Sequence, residues 1–317
     1  MLIYYTDHFV LPLPPGHRFP MRKYAALRER VANVAPASMR VPPAATDIEL
    51  ARAHDPFYLV AVCNGTVDAR AMKRIGFPWS PAMLERSRRS AGATIAACRS
   101  ALTTGCGVNL AGGTHHAHRS YGEGFCVFND AAVAARAMQA EGLAARVLIV
   151  DLDVHQGDGT AEIFADDASV FTFSLHGRNN FPFRKHGSDL DVDLDDGTED
   201  SAYLATLRVA LPRAIDRSRP DLAIYLAGAD PFHGDRLGKL ALTKAGLAAR
   251  DRLVLTMLRN AGIPVAITMA GGYADNIDDI VDIHFATVSL ALELWRHGES
   301  RNTAIGKPRV RPRIAAG

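Results

Sequence analysis

The sequence predicts an α/β protein built on a parallel sheet, and three observations predict it. Short runs of β-branched and other apolar residues alternate with long segments rich in alanine and leucine, the pattern of repeated β-α units. These apolar runs are nearly continuous, which implies a sheet covered on both faces. Each run is followed at once by a polar cluster, and open α/β sheets bind ligands just beyond the carboxyl ends of their strands.

In chain order, the first 80 residues are less regular. An alanine-rich stretch then predicts a helix near 82–103, and a short apolar run at 108–110 leads into AGGTHHAH. A helix is expected near 127–140. Strands follow at 147–150 (VLIV) and 170–173 (VFTF), then a helix near 201–217 and a strand at 222–226 (LAIYL). The remaining elements are a helix near 243–260, a strand at 265–269 (VAITM) and a helix near 277–294. With no internal repeat and no linker rich in Gly, Pro or Ser, residues 1–298 are expected to form one domain. Residues 299–317 carry Arg301, Lys307, Arg309, Arg311 and Arg313 with little apolar content and read as a flexible basic tail.

Composition narrows the classes. With 48% hydrophobic and 22% charged residues the chain can build a core, which excludes disorder for most of it. The balance of 36 Lys+Arg against 34 Asp+Glu, net +2, is unlike a general nucleic-acid binder. Cys63, Cys98, Cys106 and Cys126 form no CxxC pair, which fits a reduced, cytoplasmic setting. The N-terminus has no basic region ahead of a long apolar run, and no stretch of about 18 apolar residues occurs. The protein is therefore expected to be neither secreted nor membrane-spanning.

The chemistry sits at four strand ends. After 147–150 comes DLDVHQGDG with Asp151, Asp153, His155 and Asp158; after 222–226 comes AGAD, ending in Asp230; after 265–269 comes AGGY, ending in Tyr273. The run at 108–110 leads to His115 and His116. In an extended segment Asp153 and His155 lie two apart and point to one side, which suits two ligands of one metal, with Asp230 the natural third. Two carboxylates and one imidazole, with positions left for water and substrate, describe a catalytic zinc site. His115 and His116 lie in a glycine-bracketed turn followed by Gly122, Gly124 and Phe125. A neutral histidine there can take a proton from the attacking water and return it to a leaving amine. Asp151 and Asp158 would orient the two rings. Tyr273, after a double glycine, is placed to donate to a developing oxyanion. Taken singly, each feature has a plainer reading: an acidic turn capping a helix, a surface histidine pair, a packed tyrosine. Their clustering at four strand ends favours a site.

The motifs GTHHAH, GEGFCVFND, DLDVHQGDG, SLH, AGAD and AGGY, in this order, resemble the zinc-dependent histone deacetylase family, which also includes bacterial acetylpolyamine amidohydrolases and acetoin-utilisation proteins. DPFHGDRLGKLALTKAG, the later AGGY, and HQG in place of the commoner HHG are most similar to its class IV branch. The likeness spans most of the chain and is weakest before residue 80, where HDPFYL resembles a recurrent family element.

The resemblance implies an arginase-like, single-domain α/β fold with a central, mostly parallel eight-stranded sheet flanked by helices. It implies zinc ligands Asp153, His155 and Asp230, a general base and acid in His116, and an electrostatic partner in His115. Asp151 would pair with His115 and Asp158 with His116, while Tyr273 would polarise the substrate carbonyl. Gly124, Phe125 and Phe181, with Leu237 near the rim, would wall a channel for an acyl-lysine side chain. A structural potassium site would draw on Asp151, Asp153, His155, Ser174 and Leu175, and a second on Phe164, Asp167 and Val170. Gln156 departs from the usual second histidine but is not a ligand, and Asp158 keeps a carboxylate that animal class IV enzymes tend to lose. The implied activity is zinc-dependent hydrolysis of N-ε-acyl-lysine. The alternatives are a small acylamine or acetylpolyamine amidohydrolase, an inactive acyl-lysine binding module and, lower still, a binuclear manganese hydrolase of the related arginase fold.

Overall fold

The computed structural model describes residues 1–296; the basic tail expected over 299–317 and the last residues of the expected 1–298 domain lie outside the described residues. The strands are β1 (Leu2–Tyr4), β2 (Met39–Arg40), β3 (Cys106–Asn109), β4 (Val147–Asp151), β5 (Val170–Gly177), β6 (Leu190–Leu194), β7 (Leu222–Gly228) and β8 (Val265–Ala270). The helices are α1 (Arg22–Val34), α2 (Asp47–Ala51), α3 (Pro56–Asn64), α4 (Ala69–Ile75), α5 (Pro81–Thr104), α6 (Asp130–Ala140), α7 (Asp158–Phe164), α8 (Asp200–Ser218), α9 (Lys244–Asn260) and α10 (Ile277–Arg296).

All eight strands pair in parallel in one sheet of order β2-β1-β3-β8-β7-β4-β5-β6. Alternate residues of each central strand feed opposite cores. Val147, Ile149, Leu222, Ile224 and Leu226 pack on one face with α5 and α6. Leu148, Val150, Ala223, Tyr225, Val265 and Ile267 pack on the other with α1, α8, α9 and α10. Both faces of these central strands are buried, so they carry no polar alternation.

The sheet order is what assembles the site. β3, β8, β7 and β4 are consecutive in the centre of the sheet, and they are the strands that precede the four polar clusters. Asp151 pairs with Leu226, Gly228 with Ala270, and Asn109 with Thr268, so their carboxyl ends lie level.

Several elements escaped the apolar-run criterion for physical reasons. β1 and β2 have three and two residues, too few for a pattern. β6 is an outer strand with alternating partly exposed residues. The helix expected from 127 begins only at Asp130, because the Asn129 side chain accepts the Ala132 amide at 3.0 Å and caps it there. Residues 127 and 128 instead close a loop: Val127 O accepts the Tyr58 hydroxyl at 2.7 Å and Phe128 O the Thr114 hydroxyl at 2.5 Å. Cys63, Cys98, Cys106 and Cys126 are free thiols. Among the described residues no helix is long and apolar enough to cross a membrane.

Candidate active site and metal centre

β4 stops at Asp151, and the chain turns there instead of running on extended. Asp153 Oδ1 accepts the backbone N–H of His155 at 2.9 Å, so Asp153 and His155 meet through an Asx-type turn rather than strand alternation. Asp153 Oδ1 lies 2.9 Å and Asp230 Oδ2 3.2 Å from His155 Nδ1. One ligand-type atom from each of the three lies within 4.8 Å of the others, and all three residues are buried. Val154 N donates to Asp230 Oδ1 at 2.9 Å, which leaves Oδ2 buried without a hydrogen-bond donor. Gly271 makes room for this carboxylate, since a Cβ there would stand 2.1 Å from Oδ2.

An orphaned carboxylate oxygen converging with a second carboxylate and an imidazole nitrogen fits a divalent cation, and three protein donors leave coordination positions open. The electrostatics agree. Burial disfavours a charged His155, yet Asp153 and Asp230 outweigh it and push its pKa up to about 10, so this point in the protein favours positive charge.

Two further imidazoles stand beside the cluster, their ring centres 4.2 Å apart. His115 Nδ1 bonds Asp151 Oδ2 at 2.6 Å, and His116 Nδ1 bonds Asp158 Oδ1 at 2.6 Å. Burial lowers the pKa of both. For His115 the charges of Asp151 and Asp153 prevail and raise it to about 9. For His116, burial and the charge of His115 prevail over Asp158 and lower it to about 3. Near neutrality the pair therefore splits into one charged and one neutral ring, a division of roles that environment alone imposes.

These groups open onto a cavity of about 600 Å³ lined by His115, His116, Asp153, His155 and Tyr273. Gly124, Phe125, Phe181 and Leu237 form part of its wall. Phe125 takes φ of 66° and follows Gly124 at φ of 56°, a rare non-glycine left-handed conformation held by the bond from its N–H to Ile75 O at 2.7 Å. A Cβ on Gly124 would lie 2.8 Å from the His116 ring, so glycine lets the wall close over the imidazole. Phe181 packs edge-on against His116 with centroids 4.9 Å apart. Asn180 ties that loop to its neighbour by donating to Leu237 O at 2.8 Å. Tyr273 is half-buried, and burial followed by the charges of Asp153 and Asp230 raises its pKa well above 10.

The histone deacetylase domain model matches residues 17–288. The chain belongs to the histone deacetylase family. An uncharacterized protein of Picosynechococcus sp. (strain ATCC 27264 / PCC 7002 / PR-6) is 47% identical over 286 residues, covering 89% of this chain and 95% of that one. Histone deacetylase 2 of Arabidopsis thaliana is 31% identical over 256 residues, 75% of this chain and 66% of the plant protein. The crystal structure of an HDAC homolog from Aquifex aeolicus superposes with a TM-score of 0.79 at 23% identity, covering 93% of this chain and 84% of that one, which shows the shared fold.

This histone deacetylase family hydrolase buries three further residues beside the site that motif spacing did not single out. His118 is buried and lies on the far side of Asp158, its Nε2 3.2 Å from Oδ2, while its Nδ1 is 3.6 Å from Glu162. Burial lowers its pKa, but Asp158 and Glu162 prevail and raise it to about 9. Asp158 is thus shared between a neutral and a charged imidazole. Asp235 accepts the backbone N–H of Tyr273 at 2.5 Å and of Leu237 at 2.8 Å, which sets where both stand. Arg250 is fully buried under the sheet ends and donates to Leu152 O at 3.2 Å and Gly228 O at 2.7 Å, joining the segments that carry Asp153 and Asp230. The signal for His118 was present in the alternation of GTHHAH; Arg250 sits in an ordinary amphipathic helix and gave none.

One expectation follows from the shared carboxylate. His118→Gln keeps a donor for Asp158 but removes a nearby positive charge. His116 then sees the full negative charge of Asp158, its pKa rises, and the acid limb of kcat/KM moves to higher pH, by about one unit. A pH–rate profile checks this; an unmoved or lowered acid limb would show that His118 does not act on His116.

The residues named for potassium are also brought together. Ser174 is the register partner of Asp151, and both are buried beside Asp153 and Leu175. Ser174 Oγ lies 2.9 Å from His176 Nδ1. Phe164, Asp167 and Val170 form one turn, with Asp167 N bonded to Phe164 O at 3.0 Å and Val170 N to Asp167 O at 3.2 Å.

Proposed function

We propose that this protein is a zinc-dependent lysine deacylase that hydrolyses the amide of N-ε-acyl-lysine. The observation that carries the reading is a buried two-carboxylate, one-imidazole cluster next to two imidazoles, each hydrogen-bonded through Nδ1 to a buried carboxylate. Zinc held by Asp153, His155 and Asp230 would supply Lewis acidity that activates water and polarises the amide carbonyl.

The chain's own residues do the rest. With Nδ1 committed to Asp158, His116 keeps Nε2 free to take the proton of the attacking water and later deliver it to the leaving amine nitrogen. Asp158 holds the ring orientation and balances the imidazolium that forms. His115, charged on Asp151, places a positive charge beside the developing oxyanion, and the Tyr273 phenol donates a hydrogen bond to it. Phe125 and Phe181 wall the approach for an alkyl chain and exclude water. Potassium is proposed for the two groups of residues that include Ser174 and Asp167 as a structural ion only.

Arg18, Lys73, Arg74 and Lys239 line the exposed part of the cavity, with Glu123 the only acid there among the described residues. A basic mouth repels polycations, which supports peptidyl lysine over acetylated polyamines. Initial rates on acetyl-, octanoyl- and myristoyl-lysine peptides, beside acetylated putrescine and spermidine, test the reading. Peptide turnover lost on chelation and restored by zinc is expected. Faster turnover of the polyamines would move the assignment to the amidohydrolases, and peptide binding without any turnover would make the protein a binding module.

A further inference from the structure

The cavity does not end at the metal-ligand residues but continues into a buried chamber edged by Phe19, Lys23, Tyr24, Arg86 and His284. Arg86 is 7% exposed, yet among the described residues no carboxylate pairs with it and its Nη1 has no hydrogen-bond partner. Its guanidinium rests on the Tyr24 ring, 4.5 Å from the centroid. Lys23, 5% exposed, stands 5.3 Å from the same ring and donates to the backbone oxygens of Gly271 and Gly272, not to an acid. His284 is 2% exposed with both ring nitrogens unpartnered, and burial holds it neutral. The acids lining the whole cavity are Asp153, which belongs to the metal cluster, and Glu123, beside Arg74.

Buried cations are ordinarily paired, because desolvation without a counter-charge is strongly unfavourable. Two cations flanking one tyrosine, with no acid of their own, therefore describe a site for an anionic guest. Its position fixes which part of the guest is anionic. Lys23 bonds the backbone oxygen of Gly271, the residue packed against Asp230, so the buried cations stand beside the metal-ligand cluster, on the side where the acyl group of a bound substrate would lie.

Resting on the lysine deacylase reading, we infer that this chamber accepts acyl groups that end in a carboxylate, the half-amides of short dicarboxylic acids, with Arg86 and Lys23 receiving the terminal carboxylate. Hydrolysis then breaks the amide C–N bond, joins the water oxygen to the acyl carbon, passes the proton to the lysine amine and releases a dicarboxylate. No oxidant or reductant is needed.

The test compares succinyl- and glutaryl-lysine peptides with butyryl- and pentanoyl-lysine peptides of the same sequence on zinc-loaded enzyme. A kcat/KM ratio of at least about tenfold in favour of the carboxylated acyl groups is expected, the scale of one charge-assisted hydrogen bond. Arg86→Gln should collapse that ratio toward one, and Arg86→Lys should retain part of it. Turnover of the uncharged peptides with no preference for the carboxylated ones overturns the inference and leaves the deacylase reading intact. Absence of turnover on every peptide overturns the deacylase reading, and calorimetry then decides the chamber alone: glutarate should bind wild type more tightly than Arg86→Gln. Equal binding to both proteins, or acetate showing the same dependence on Arg86, overturns the carboxylated-acyl assignment.

Discussion

His116→Ala is expected to lower kcat by about 10²- to 10⁴-fold while zinc content stays at the wild-type level. The imidazole is not among the three ligand-type residues, so removing it leaves Asp153, His155 and Asp230 in place. What disappears is the neutral ring of the His115–His116 pair, with its free Nε2 beside the ligand-type cluster. Its pKa of about 3 keeps it a base throughout the physiological range, whereas His115 at about 9 is already protonated and cannot substitute. Asp158 cannot substitute either, because its carboxyl, despite burial, is held well below the usual range by His116 and His118 and lies behind the ring, outside the cavity lining. Metal analysis beside steady-state kinetics separates the roles. Preserved turnover would remove His116 as the base, and loss of zinc together with turnover would show that the ring supports the ligands instead.

What could be read in the sequence follows from where the constraints lie. β4, β7 and β8 were visible because both faces of each strand are buried, which forces near-continuous apolar runs. The candidate site was visible for the complementary reason. Asp151, Asp153, His155, Asp230 and Tyr273 follow those runs directly, and a polar residue just past a buried strand has few structural reasons to be there. β6 was invisible because, near the sheet edge, its LDVDL alternates between partly exposed and exposed positions. The first 80 residues were hard to read because they build two very short strands and four helices whose contribution is indirect. Lys23 and Arg86 come from that region and from α5, far in sequence from every motif, and only the tertiary fold brings them to the cavity. Their meaning lies in the absence of a partner, and a missing counter-charge cannot be seen in a linear sequence.

Tyr273→Phe is expected to lower kcat by about 10²- to 10³-fold, with KM changed by no more than a few-fold. The position of the ring does not depend on its hydroxyl. Asp235 holds the backbone N–H at 2.5 Å, Arg236 donates to the backbone oxygen at 2.8 Å, and Phe125 packs against the ring at 6.0 Å between centroids. Phenylalanine should therefore occupy the same wall, and the substrate should meet the same surface. Only the donor is lost. Burial and the charges of Asp153 and Asp230 keep the phenol protonated far above neutral pH, so in the wild type that donor is present at every working pH. A carbonyl oxygen gains little from it in the ground state, but an oxygen acquiring negative charge gains a great deal, so the loss falls on kcat and not on KM. Parallel measurement of kcat, KM and the affinity of a non-hydrolysable acyl-lysine analogue resolves the two cases. If the substitution weakens KM and analogue binding alone, the hydroxyl serves ground-state binding, and oxyanion stabilisation must then rest on His115 and the metal.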